Sequence, residues 1–171
     1  LSGRVEQFSQ GPEVCGPLSV AGGRLAFLRQ DGATPPEVFA TALSTFAPKQ
    51  LTRHNPQLRK HWAGRKERIR WKSPDGTPVE GLLLKPAGYR PGKPVPLLVC
   101  VHGGPASVHT NTFNGVVGDR YPHQVFAGMG YAVLFPNPRG SIHYGSPFRR
   151  ANVRDWGQGD LEDILAGVDY L

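Results

Sequence analysis

Pro94-Val-Pro-Leu-Leu-Val-Cys-Val-His-Gly-Gly-Pro105 decides how the rest of the chain reads. Its apolar stretch runs from Val95 to Val101, broken only by Pro96, with no polar alternation. Such a run predicts a short strand buried on both faces, as in the middle of a parallel sheet. The two glycines that follow allow a tight turn and bring bare backbone N–H groups up to a ligand. In open α/β sheets, that end of a strand is where ligands bind.

Downstream, a polar loop up to Arg120 precedes His123-Gln-Val-Phe-Ala-Gly-Met129, which predicts a short helix ended near Gly130. Tyr131-Ala-Val-Leu-Phe135 is a second buried strand, with the loop Pro136-Asn-Pro-Arg-Gly-Ser-Ile-His-Tyr-Gly145 at its carboxyl end. Strand, helix and strand at this spacing predict a βαβ unit with parallel strands. The last segment is a helix: Leu161, Ile164, Leu165, Val168 and Leu171 form one apolar stripe. Asp160, Glu162 and Asp163 crowd its first turn, where the helix dipole favours carboxylates.

Upstream, residues 1–55 carry only β signals. Strands are expected around Leu18–Ala21, Arg24–Arg29, Val38–Leu43 and Lys49–Thr52, at roughly ten-residue spacing. Val5–Phe8 is expected to end a preceding unit. Four short strands of this kind make one blade of a propeller or a piece of a sandwich. Residues 56–66 read as a basic linker. From Glu67 a hairpin is expected, Ile69 and Trp71 alternating with charges, Asp75-Gly76 in the turn, and Val79–Lys85 returning.

Composition narrows the function classes. The chain has 171 residues, and 22 Gly with 17 Pro favour turns over long helices. No apolar run is long enough to span a membrane. The amino-terminal residues have no signal-peptide pattern, and Leu1 looks like a cut start. Cys15 and Cys100 form neither a disulfide framework nor a metal knuckle and favour a reducing compartment, and with no visible signal peptide a cytoplasmic setting is expected. Residues 53–72 hold eight Lys/Arg against Glu67, so this stretch carries the whole net charge of +7. A nucleic-acid footprint is one reading of it. A solvated connector fits better, because Arg68, Arg70 and Lys72 alternate with Ile69 and Trp71 as the wet side of a strand. The histidines show no ligand spacing for a metal, and no cofactor motif is present.

A strand running into His-Gly-Gly is one of the two parts of an α/β-hydrolase oxyanion hole. The other part is a nucleophilic Ser in G-x-S-x-G, and no serine here has Gly at both flanking positions.

The ordered set of motifs has a familiar form. His102-Gly-Gly-Pro105, Gly130-Tyr-Ala-Val133, Asn137-Pro-Arg-Gly-Ser141 with Tyr144-Gly145, and Trp156-Gly-Gln-Gly-Asp160 with Gly167-Val-Asp-Tyr-Leu171 resemble the prolyl oligopeptidase family of serine peptidases. The likeness is to its acylaminoacyl-peptidase and dipeptidyl-peptidase-like branch. Gln50-Leu-Thr-Arg-His-Asn55 and Trp71-Lys-Ser-Pro-Asp-Gly76 agree with it. The resemblance implies the N-terminal part of an α/β-hydrolase fold (residues 67–171), preceded by the last blade of a β-propeller (residues 1–55). It also implies a Ser, Asp, His triad beyond Leu171, so that no catalytic residue lies in this chain and the chain alone is inactive. The substrate would be a short or N-blocked peptide, cleaved through an acyl-enzyme once the remainder of the polypeptide is present. No cofactor, metal, nucleic acid or membrane is expected.

By the same resemblance, the Gly104 N–H donates to the oxyanion and Gly103 supports the turn, against the plainer reading of a strand-end turn that needs Gly. His102 is expected to support the loop, since the family's base comes last in the chain. Arg139 either contacts substrate or ion-pairs with Asp160 or Asp163. Tyr144 either lines the pocket or packs its loop. His143 stands where relatives carry a small residue. An esterase or lipase of the HGG type is the alternative chemistry, and a non-enzymatic propeller or nucleic-acid module is a third reading.

Overall fold

The structure, a computed structural model, describes residues 3, 5, 7–60, 64–104, 106–113 and 121–171. They form two compact units, Leu1–Trp62 with Asn111–Gly118, and Ala63–Thr110 with Asp119–Leu171.

In the first unit, β1 (Val14–Ala21), β2 (Arg24–Gln30), β3 (Glu37–Ala42) and β4 (Lys49–Gln50) form an antiparallel meander in the order 1-2-3-4. The Gly22-Gly23 turn, with φ of 53° and 71°, connects the first pair without a steric penalty. Phe27 is buried and stacks on Phe39 and Phe46, both at 6.2 Å between ring centroids. The carboxylate of Glu37 is buried yet satisfied, accepting from the Thr52 hydroxyl at 2.5 Å and the His54 N–H at 2.8 Å. This pair closes the loop that follows β4. Leu18 and Val20 on β1 remain exposed. A 3-10 turn spans Pro56–Lys60 within the expected basic linker, whose residues 61–63 lie outside the described residues.

The second unit is built on a mixed sheet of β5 (Arg65–Lys72), β6 (Pro78–Lys85), β7 (Leu97–Val99) and β8 (Ala132–Asn137), ordered 5-6-8-7. β5 and β6 form the hairpin around Asp75-Gly76, where Gly76 has φ 85° and the Thr77 N–H reaches Asp75 Oδ1 at 2.9 Å. β7 and β8 pair in parallel on either side of α1 (His123–Gly128), the βαβ unit that the spacing predicts. Leu82, Leu84, Val133 and Phe135 on one face of the sheet pack with Ala127 of α1. Trp71, Val79 and Leu134 pack with Ala166 and Val168 of α3 (Gly159–Asp169). Helices on both faces of a sheet make a three-layer α/β arrangement. A short helix, α2 (Ser146–Arg150), lies in the loop after β8.

Two expectations fail in part, for physical reasons. Both apolar runs are expected to be buried strands: β8 is one, with all six residues buried, and β7 is not. β7 borders the sheet among the described residues, and Val99 and Val101 are exposed. The stripe on α3 holds only in part: Val168 packs on the core and Ile164 is half-buried, whereas Leu161, Leu165 and Leu171 are exposed, and the fully buried positions of the inner side are Gly159, Asp163 and Gly167. That side meets an indole ring, and the ring selects small and hydrogen-bonding residues over leucines. A Cβ on Gly167 would lie 2.7 Å from a ring carbon of Trp71.

Candidate active site

The carboxyl ends of β7 and β8 bring two loops together, residues 100–110 and 137–145. With the start of α3 they line a cleft of about 500 Å³ walled by His102, Gly103, Gly104, Arg139, Trp156 and Asp160. A hollow of similar size near Lys85, Tyr89 and Leu171 holds no nucleophile and no acid–base pair.

Gly103 and Gly104 are exposed in this cleft. Gly104 has φ 131°, a conformation that L-residues rarely adopt, while a Cβ there would meet nothing nearer than 3.5 Å. Backbone angle, not space, demands glycine at 104. Pro105 lies outside the described residues.

His102 turns its ring toward the second loop, with Nε2 at 3.0 Å from Ser141 Oγ. Burial holds its pKa below the ordinary value. Beside it stands His109, with ring centroids 5.1 Å apart and Nε2 donating to the Cys100 carbonyl at 2.9 Å. Burial first, and the neighbouring His102 second, push His109 down to about 4. Both imidazoles are therefore neutral near pH 7 and poor candidates for a cationic role.

Arg139 is spent on its neighbours. Nε donates to Asp163 Oδ2 at 3.0 Å, and Nη2 to Asp163 Oδ1 at 2.7 Å. Nη1 pairs with Asp75 Oδ2 at 2.9 Å, and the Arg139 backbone N–H also reaches Asp163 Oδ2 at 2.7 Å. The hydrogen bonds to Asp163 and then to Asp75 raise its pKa further, and the same contact holds Asp75 down to about 2. Of the two partners expected, the structure selects Asp163, and Asp160 instead accepts from the Gly157 and Leu161 N–H groups at the start of α3.

Tyr144 is likewise committed. Its hydroxyl accepts from Asn137 Nδ2 at 3.0 Å and donates to Glu80 Oε1 at 3.2 Å, and its ring leans on Phe148. Burial, and then the Glu80 charge, push its pKa up to about 12. His143 has φ 75°, the left-handed region, which explains why a small residue would suit that position.

The structure thus gathers His102, Gly103, Gly104 and Arg139 around one cleft and places the Tyr144 hydroxyl in a separate polar chain. Sequence reasoning missed Asn137, Ser141, His109 and Asp75. Asp75 was visible only as a turn residue, and Asn137 and Ser141 only as members of one motif, Asn137 also as an amide at the end of an otherwise apolar strand. Among the described residues no group of His, Cys, Asp and Glu could hold a metal ion. No described helix is long and apolar enough to cross a membrane.

Comparison with known proteins gives concordant results. Residues 119–171 match the prolyl oligopeptidase family. Over 136 residues, the chain is 35% identical to the uncharacterized peptidase YuxL of Bacillus subtilis, covering 79% of this chain and 20% of YuxL. Among solved structures, the acylaminoacyl peptidase of Pyrococcus horikoshii superposes with a TM-score of 0.82 at 28% identity, over 99% of this chain and 26% of that one. An acylaminoacyl peptidase in complex with Z-Gly-Gly-Phe-chloromethyl ketone gives 0.83, also at 28% identity, over 99% of this chain and 26% of that one. The chain therefore spans about a fifth to a quarter of these relatives' length. Motif order, sequence identity and superposition agree, and the chain belongs to the prolyl oligopeptidase family.

Proposed function

We propose that this chain supplies the oxyanion loop of a serine peptidase that hydrolyses short or N-blocked peptides through an acyl-enzyme. On this reading the second unit, from residue 67, is the N-terminal part of an α/β-hydrolase catalytic domain. The four-stranded meander of residues 1–55 is the last blade of a β-propeller, and residues 56–66 link the two. The Gly104 N–H, with Gly103 beside it, is one donor to the tetrahedral oxyanion, and the N–H after the nucleophile is the other. Each such donor contributes on the order of 3 kcal/mol to acyl transfer. The triad lies outside residues 1–171, so the chain by itself is inactive. Its two free cysteines suit a reducing compartment.

The observation that carries the proposal is the exposed, positive-φ Gly104 at the carboxyl edge of a parallel strand pair, opening on a cleft. Arg68 and Arg70 both turn to Glu80, at 3.7 and 2.9 Å, in keeping with the wet side of a strand. His102 through Nε2 and Arg139 through its whole guanidinium are engaged with neighbouring loops, which supports a positioning role for both.

Two measurements test it. A fluorophosphonate probe is expected to leave every serine of this chain unlabelled, and robust labelling of any of them sinks the proposal. The coding sequence beyond Leu171 is expected to specify a G-x-S-x-G within several dozen residues. A continuation without one has the same effect.

A further inference from the structure

The loop that bears Gly103 and Gly104 is held along its length by the loop after β8, and the hydrogen-bond chain fixes how. Ser141 is buried, and its hydroxyl lies 2.6 Å from the Pro138 carbonyl. A carbonyl only accepts, so the single hydroxyl proton of Ser141 is committed to it. Ser141 Oγ can then only accept from His102, which assigns the proton of that imidazole to Nε2, 3.0 Å away. Nδ1 is left as a bare lone pair, buried and with no partner at hydrogen-bond geometry among the described residues, although the Gly103 backbone lies near enough to offset part of the effect of burial on the ring.

The far end of the loop is gripped differently. Asn137 presents its amide to the main chain of His109 as a strand would: Oδ1 accepts the His109 N–H at 2.7 Å, and Nδ2 donates to the His109 carbonyl at 3.0 Å. The second Nδ2 proton goes to Tyr144. Between these ends the Ile142 N–H donates to the Ser107 carbonyl at 3.0 Å.

We infer that Ser141 and Asn137 are positioning residues for the Gly103–Gly104 amides: Ser141 fixes the ring of His102 in its Nε2–H form, and Asn137 clamps the main chain at His109. The inference rests on the reading of those glycines as oxyanion donors. A flexible glycine pair aims its N–H groups only if both flanks are fixed, and donors of this kind work by being preorganised. Neither residue touches a reacting group. Each acts through the histidine that it holds.

The test uses the 171-residue chain, labelled with 15N, at pH 7. Long-range proton–nitrogen correlation reads the tautomer of His102, and amide spectra read Gly103 and Gly104. The native chain is expected to show the Nε2–H form. Ser141→Ala should lose that preference, move both glycine amide lines and speed their solvent exchange by about tenfold, the worth of roughly one hydrogen bond. Ser141→Thr, which keeps the hydroxyl, should restore all three readouts. Asn137→Asp, unable to donate to the His109 carbonyl, should move the glycine lines but leave the His102 tautomer unchanged.

An Nδ1–H tautomer in the native chain overturns the inference, even if a variant fails to fold. So does a folded Ser141→Ala chain with native glycine lines, foldedness being read from the Trp71 indole line. These readouts need no hydrolysis. Failure of the peptidase reading, seen as a labelled serine in this chain, leaves them standing, and their failure leaves that reading standing.

Discussion

Trp71 donates its indole N–H to the main-chain carbonyl of Asp163 at 2.7 Å, and both residues are buried. The bond joins the middle of the β5–β6 hairpin to the first turns of α3, residues 92 positions apart in sequence. The same Asp163 gives its carboxylate to Arg139, which reaches on to Asp75 in the hairpin turn. One residue on α3 therefore fixes the hairpin through its backbone and the loop after β8 through its side chain. Arg139, which lines the cleft with Gly104, is held in place by that arrangement.

Gly167 is where α3 meets the indole most closely, and two effects oppose each other there. Alanine in a helix is favoured over glycine by about 1 kcal/mol. A Cβ would stand 2.7 and 2.8 Å from two ring carbons of Trp71, however, and neither the ring nor the helix backbone can yield cheaply. Overpacking of this kind costs about 1–3 kcal/mol. Gly167→Ala is expected to lower the urea midpoint in the native chain and to leave it unchanged or raise it in a Trp71→Leu background. Additive effects of the two substitutions would show that the contact does not govern the helix position.

Asp163 is fully buried, with Arg139 as its counter-ion. Removing one member of a buried pair leaves the other uncompensated, at a cost of about 3–5 kcal/mol. Asp163→Asn is expected near the lower end of that range, because Arg139 keeps Asp75. Arg139→Lys should be costly as well, since one ammonium cannot span both carboxylates as the planar fork does. Equilibrium denaturation measures both, and a loss under 1 kcal/mol for Asp163→Asn would show the pair to be replaceable.

Asp75 sets an acid limb on stability. Hydrogen bonding to Arg139 lowers its pKa from the ordinary 3.8 to about 2. A lowered carboxylate contributes stability above its unfolded value and loses it as the pH falls through the folded one. Stability is therefore expected to decline between about pH 4 and pH 2, and Asp75→Asn should flatten that limb while lowering the plateau above it. The carboxylate is partly exposed, so salt should weaken the effect. A limb of unchanged slope in Asp75→Asn would assign it elsewhere.

His109 acts in a higher window. Burial, then its neighbour His102, lowers it from 6.5 to about 4, so the unfolded chain binds the extra proton between those values. Its contribution is complete above pH 6.5 and falls as the pH drops toward 4. His109→Gln, which keeps a donor for the Cys100 carbonyl, should remove that slope without a large change at pH 7.5. Midpoints measured at half-unit intervals of pH decide the matter, and an unchanged slope refutes the assignment.

Most of the second unit was legible in the sequence because local signals and global fold agree there. The hairpin had its Asp-Gly turn and the parallel pair its crossover spacing. The failures share a cause. Hydrophobicity names an apolar run but not its neighbours, so β7 and β8 read alike although, among the described residues, only β8 of the two is flanked by strands on both sides. On α3 the leucines outweighed Asp163 and Gly167, because a periodicity argument counts apolar residues and cannot foresee a single indole from β5. Ser141 and Asn137 escaped notice for a related reason: each matters only through a histidine about 30 to 40 positions away, 39 for Ser141 and 28 for Asn137.

Gly104 offers the sharpest functional test, because its two roles predict different losses. Alanine at φ 131° stores strain of about 1–3 kcal/mol, and the site is exposed with room for a methyl group. The fold should survive Gly104→Ala with a modest fall in midpoint. If the 104 N–H is an oxyanion donor, the same change twists that donor away. In the polypeptide that carries both this chain and the nucleophile, kcat for an N-acetylaminoacyl anilide should then drop by about 10²–10³, with KM little altered. A drop shared equally with Gly103→Ala would mean that loop flexibility, not the donor, is what the glycines supply. Unaltered kcat in a folded Gly104→Ala protein would remove the residue from the chemistry altogether.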